Sequence, residues 1–94
     1  MTKNIGRIDY SQTFIKQLNK APLEIKKSFR KRLALFIEDQ HSQLLRNHLL
    51  SGRLKHFRSI NINGDWRALY CKVSSSEETL IIFEMMGTHS QLYQ

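Results

Sequence analysis

The sequence predicts an α+β domain in which two N-terminal helices pack on one face of a mainly antiparallel sheet of about four strands. Three observations predict it. Apolar residues recur at helical spacing between residues 12 and 39. Three runs rich in β-branched and aromatic residues follow Gly52. Between the first two of these runs stands Asn63-Gly64, a pair that tolerates positive φ and favours a tight hairpin. A chain of 94 residues has room for a single domain, 1–94, with one modest core.

The elements follow in order. Residues 5–10, Ile5-Gly6-Arg7-Ile8-Asp9-Tyr10, alternate weakly and read as a short strand. Ser11 suits the N-cap of a short helix with Phe14 and Leu18 on one side. Pro22 suits the first turn of a second helix, and Glu24 its positive end. There Ile25, Phe29, Leu33 and Phe36 form a continuous apolar stripe opposite Lys26, Lys27, Arg30 and Lys31. That helix runs to about Asp39, and Leu44 and Leu45 predict roughly one further turn before Gly52 stops it. The strand-like runs are Leu54 to Ile62, Trp66 to Val73 and Thr79 to Met85, the last two joined by the polar loop 74–78.

Charge narrows the function. Fifteen Lys and Arg against eight Asp and Glu give +7 and an isoelectric point near 9.9. Residues 1–58 carry 13 basic and 4 acidic side chains, whereas residues 59–94 carry 2 and 4. So uneven a field suits a polyanionic partner such as the phosphate backbone of a nucleic acid; the plainer alternative is a solvated face kept for solubility. No segment approaches the ~20 apolar residues of a membrane span, and Met1-Thr2-Lys3-Asn4 lacks the apolar stretch of a leader. The single Cys71 sits in an apolar run, as a structural thiol of a reducing cytoplasm would.

The polar residues of the second half are placed oddly for a plain scaffold. His48 precedes Ser51-Gly52; Lys55, His56 and Arg58 interrupt the first strand-like run; Asp65-Trp66-Arg67 follows the hairpin pair. Gly87-Thr88-His89 closes the last run, with Tyr93 four residues beyond. Each has a structural alternative. His48 and His89 can be ordinary surface histidines, Asp65 a turn-former, Trp66 a core or lid residue, and Arg67 half of an exposed ion pair with Asp65. The histidine and cysteine spacings match no zinc pattern, and the isolated glycines match no phosphate or dinucleotide loop.

His48-x-x-x-Gly52, the basic stretch Lys55 to Arg58, Asp65-Trp66-Arg67 and the ending Gly87-Thr88-His89-Ser90-Gln91-Leu92-Tyr93 together resemble the RelE/ParE superfamily of bacterial toxin–antitoxin toxins, most closely its YafQ-like branch. The likeness runs through nearly the whole chain, with its specific motifs confined to residues 48–93. It implies a microbial-RNase-like sheet, cleavage of mRNA on the ribosome, and silencing by a cognate antitoxin. By the same likeness His48, Asp65 and His89 match acid–base positions, Trp66 the neighbour of one, and Tyr93 a C-terminal aromatic. The chain departs from that branch twice: Asn61 stands where it has another His, and Met85 where it has an Arg. Arg67 matches instead an Arg of the RelE branch.

The implied chemistry needs no cofactor. RNA cuts itself once its 2′-OH is deprotonated, its phosphate charge is neutralised and its 5′-oxygen is protonated. A positioned acid or base contributes roughly 10²–10⁴, and a cation at the phosphorane about 10²–10³ more. His48 and His89 are the proton-transfer candidates, Asp65 a base or an orienter, and Arg67 with Lys55 and Arg58 the phosphate clamp. Trp66 or Tyr93 suits stacking on a base. Two other readings stand beside this one: a ParE-like toxin that poisons gyrase without nuclease chemistry, and an RNA-binding module impaired by Met85.

Overall fold

The computed structural model describes residues 5–75 and 77–93. Residues 1–4, read above for a leader, and Ser76 of the polar loop lie outside the described residues. The elements are β1 (Ile5–Tyr10), α1 (Gln12–Lys20), α2 (Leu23–Glu38), β2 (His48–Leu49), β3 (Arg58–Asn63), β4 (Trp66–Ser74), β5 (Thr79–Thr88) and the short α3 (His89–Leu92). The strands form one five-stranded sheet in the order β1-β5-β4-β3-β2. β2 through β5 pair antiparallel, and β1 lies parallel to β5. The α+β expectation holds, with one strand more than expected and one parallel pair.

The start of α1 is fastened to the far end of the chain. Ser11 Oγ accepts from the Phe14 amide, capping the helix as expected, and donates to the Glu84 carbonyl at 2.8 Å. Gln17 Oε1 accepts from the Met86 amide at 2.7 Å, so both ends of α1 are tied to β5. In α2 the apolar stripe buries Ile25, Phe29 and Phe36, with Leu33 half-buried. Pro22 stands one residue earlier than expected, as the N-cap itself.

Between α2 and β3 the structure departs from the sequence reading. α2 stops at Glu38 because Asp39 is extended and its Oδ1 accepts from the His41 amide, a local turn that competes with helix. Gln43–Leu45 is a 3-10 turn that buries Leu45 and ends on Arg46 in the left-handed region at φ 47°. The chain then forms β2, and Gly52–Leu54 makes a second 3-10 turn entered through Gly52 at φ 67°. Lys55 and His56 are therefore exposed loop residues, and the first long strand begins only at Arg58.

Asn63 proves to be the last residue of β3, paired with Trp66, so the hairpin turns on Gly64-Asp65. Only Gly64 takes positive φ there, at 54°. β5 runs three residues further than expected and carries a bulge at Glu84, seen as a register shift between Leu69↔Met85 and Tyr70↔Phe83.

The core lies between α1, α2 and one face of the sheet. Phe83 is its centre, with ring centroids 5.4–5.8 Å from Tyr10, Phe14, Phe29, Phe36 and Tyr70. Burial raises the Tyr70 phenol above its ordinary pKa, and its oxygen accepts from Asn47 Nδ2 at 2.8 Å. Successive strand residues point to opposite faces. Ile60, Ala68, Tyr70, Phe83 and Met86 thus face the helices, whereas Ser59, Asn61, Arg67, Leu69 and Met85 face away.

Candidate active site

Cross-strand register assembles the far face row by row. His48 pairs with Ser59, Ser59 with Leu69, and Leu69 with Met85, so one row runs His48–Ser59–Leu69–Met85 across four strands. The next row is Asn61–Arg67–Gly87. Beyond it the His89 amide donates to the Asp65 carbonyl at 3.0 Å, which carries the β4–β5 register on by one more residue pair. Arg67 is thereby a diagonal neighbour of both Met85 and His89, at about 7–8 Å. His48 stands in the same diagonal relation to Asn61.

Arg67 is the best-anchored cation of this face. Its Nη1 donates to Asn61 Oδ1 at 2.7 Å, to the Gly64 carbonyl at 2.9 Å and to the Trp66 carbonyl at 3.1 Å. Nε and Nη2 have no partner among the described residues, so the side-on fork of the guanidinium stays available. Asp65 makes no ion pair with Arg67, and its exposed carboxylate accepts no hydrogen bond from the described residues.

His48 is exposed on β2, with Nδ1 2.7 Å from the Arg46 carbonyl. A carbonyl only accepts, so Nδ1 must carry the proton and Nε2 is left as the nitrogen able to take or give one. That carbonyl is presented by the left-handed turn at Arg46. His89 is the first residue of α3, whose Thr88–Gln91 capping box fixes the backbone: Gln91 Nα–H donates to Thr88 Oγ1, and Thr88 N–H to Gln91 Oε1. Its ring lies 4.4 Å from that of Tyr93, centroid to centroid. A Cβ at Gly87 would come within 2.9 Å of Gln91 Oε1, so a larger residue there would push on the side chain that caps α3.

Three of the sequence candidates fall elsewhere. Arg58 pairs with Tyr70 on the helix side, and its Nε donates to Asn47 Oδ1 at 3.0 Å. Trp66 faces the same way, half-buried against the core beside Ala21 and Met86. Lys55 is exposed in the loop before β3. The sequence reading passed over Asn61 and Asn47 as partners of Arg67 and Arg58. For Asn61 the signal was available: it alternates with Ser59 and lies one hairpin away from Arg67.

Most of the positive charge also lies off this face. Lys26, Lys27, Arg30 and Lys31 belong to α2, on the other side of the sheet from Arg67. Lys26 and Arg30 rim a groove of about 320 Å³ between α1 and α2, floored by Phe14, Leu18, Phe29 and Leu33. Among the described residues no three His, Cys, Asp or Glu side chains gather as a metal-binding group. No helix among them is long and apolar enough to cross a membrane.

Comparisons with known proteins bear on the family and the fold. The family model described as the bacterial toxin of type II toxin–antitoxin systems, YafQ, matches residues 6–94. The crystal structure of YafQ from E. coli superposes with a TM-score of 0.74 at 23% identity, covering 93% of this chain and 97% of that one. YafQ in the E. coli DinJ–YafQ complex gives 0.70 at 24% identity, covering 93% and 96%. A metal-bound toxin from Helicobacter pylori gives 0.63 at 26% identity, covering 93% and 98%. A search of the curated proteins gives no match.

Proposed function

The chain belongs to the YafQ family of toxins of type II toxin–antitoxin systems, and from that premise we propose that it is an endoribonuclease that cleaves mRNA on the ribosome. One observation supports the reading above the others: on the far face Arg67, its guanidinium anchored by Asn61, is diagonal to His89 and two residues from Asp65, with His48 exposed two strands away on β2. In this reading one histidine takes the 2′-OH proton and the other protonates the leaving 5′-oxygen. The open fork of Arg67 binds two phosphate oxygens and stabilises the charge of the pentacoordinate intermediate. Asp65 keeps an imidazolium charged or acts as the base, and Tyr93 extends the His89 ring into a surface on which a base can stack. The nucleophile is the RNA's own hydroxyl, so a metal-free route is chemically complete.

A cognate antitoxin completes the proposal. In E. coli the relative is found in complex with DinJ. An acidic antitoxin segment would meet the basic surface here with fast, charge-steered association. Induced expression tests the whole reading, with mRNA 5′ ends, protein synthesis and DNA synthesis followed together. The expected result is arrest of translation with discrete mRNA cuts, relieved by co-expressing the product of the adjacent gene. Arrest of replication with intact mRNA would indicate a gyrase-directed toxin. Harmless expression would indicate the impaired module that Met85 favours.

A further inference from the structure

The far face contains a residue that neither the acid–base reading nor the phosphate reading uses. Asn61 is half-buried on β3, directly across from Arg67 and diagonal to His48. Its Oδ1 accepts the shortest of the hydrogen bonds made by Arg67 Nη1, at 2.7 Å. The other two acceptors are the Gly64 and Trp66 carbonyls, both backbone atoms of the hairpin. Nη1 has two N–H groups for these three oxygens, so it is saturated and cannot also serve a ligand. Nη1 lies on the Cδ side of the guanidinium, so fixing it turns the Nε/Nη2 edge toward the open face as a two-pronged donor.

Resting on the phosphate role of Arg67 proposed above, we infer that Asn61 is a positioning residue. It locks the Arg67 guanidinium in the one rotamer that presents the Nε/Nη2 fork to the scissile phosphate. The two backbone carbonyls both come from residues within three positions of Arg67 in the chain, so neither ties the guanidinium to another strand. A side-chain oxygen from the neighbouring strand supplies the opposing hold. Without it the fork must be ordered by the substrate itself, and part of the binding energy is lost.

The test combines a double-mutant cycle with nitrogen NMR of the guanidinium. Loss of one charge-assisted hydrogen bond corresponds to about a tenfold change. Asn61→Ala should therefore lower RNA cleavage about tenfold in the native background and less than twofold in an Arg67→Ala background. Rotation about the Arg67 Nε–Cζ bond, which exchanges Nη1 with Nη2, should be slow in the native protein and faster in Asn61→Ala, where only the two hairpin carbonyls still hold Nη1. Asn61→Asp keeps the acceptor oxygen, so it should restore slow rotation even though its charge weakens phosphate binding. Equal losses in both backgrounds, or no loss where Arg67→Ala is impaired, would overturn the inference. So would fast rotation in the native protein. Should Arg67→Ala cleave at the native rate, the phosphate role fails and the positioning role fails with it; that outcome is separate from fast rotation, which sinks the positioning role alone.

Discussion

The helix face and the far face of this sheet are made of alternate residues of the same strands, and they are built on opposite terms. On the helix face Phe83 touches five other aromatic rings and Ile60, Ile62, Ala68 and Ile81 are fully buried. Some polar groups admitted there are matched, the Tyr70 hydroxyl by Asn47 and Asn47 by Arg58, whereas Thr79 Oγ1, in phase with Ile81 and Phe83, is buried without a partner among the described residues. On the far face Arg67 keeps an open edge, Asp65 keeps an unpaired carboxylate, and Ser59 Oγ is buried without a partner. The buried unpartnered atoms are one on each face, so what sets the far face apart is its open charged groups, which solvent satisfies now and a ligand can reach.

Breaking the helix face should have the largest effect. Phe83→Ala removes a fully buried ring and should cost about 3–5 kcal/mol, which for a domain of this size lowers the melting temperature by well over ~10 °C. Calorimetry checks it, and cleavage and antitoxin binding should fail together. A melting temperature within a few degrees of the native one would mean that the aromatic cluster is not the core.

Far-face changes should separate activity from stability. Arg67→Ala should slow cleavage about 10²–10³-fold while leaving the melting temperature almost unchanged, and Arg67→Lys should do less harm, since it keeps charge without the fork. His48→Ala and His89→Ala should each cost at least ~10²-fold. Met85→Arg sharpens the comparison further. Met85 is diagonal to Arg67 on the far face, so a guanidinium there should recover part of the rate lost in Arg67→Ala. No recovery would mean that a cation at position 85 cannot reach the phosphate that Arg67 serves.

How far the sequence reveals these two faces follows from the same contrast. The helix face was legible where apolar spacing is repetitive, in the stripe of α2; β4, buried at Ala68, Leu69 and Tyr70 in succession, carries no alternation that reports its inner side. Asp65 and His89 were legible as turn-flanking polar residues, and the hairpin brings them together. The segment from Asp39 to Phe57 was not legible, because its shape depends on an Asp39 side-chain turn and on left-handed backbone at Arg46 and Gly52. Arg58 lies at the end of that segment and pairs with Tyr70 on the helix side, a placement set by the cross-strand register. For Trp66 the core alternative is the one its half-buried place on the helix side suits, since it and Arg67 are adjacent and point to opposite faces.

The smallest effect concerns Cys71, half-buried on β4. Burial, and then the nearby Glu84 carboxylate, push its thiol above the ordinary value. A raised thiol has less thiolate at any given pH, so alkylation by iodoacetamide near pH 8 should be slower in the folded protein than in urea. Glu84→Gln should quicken it slightly by removing the negative charge. Equal rates in folded and unfolded protein would deny that the site is shielded.

RNA should be bound by the far face and not by the more basic helices. Chemical-shift mapping with a 2′-O-methyl RNA oligonucleotide, which binds but has no free 2′-OH to attack, tests this directly. The predicted result is a cluster of perturbed resonances at His48, Asn61, Arg67 and His89, fading as salt is raised. Perturbations confined to Lys26, Lys27, Arg30 and Lys31 of α2, with the far face silent, would contradict it.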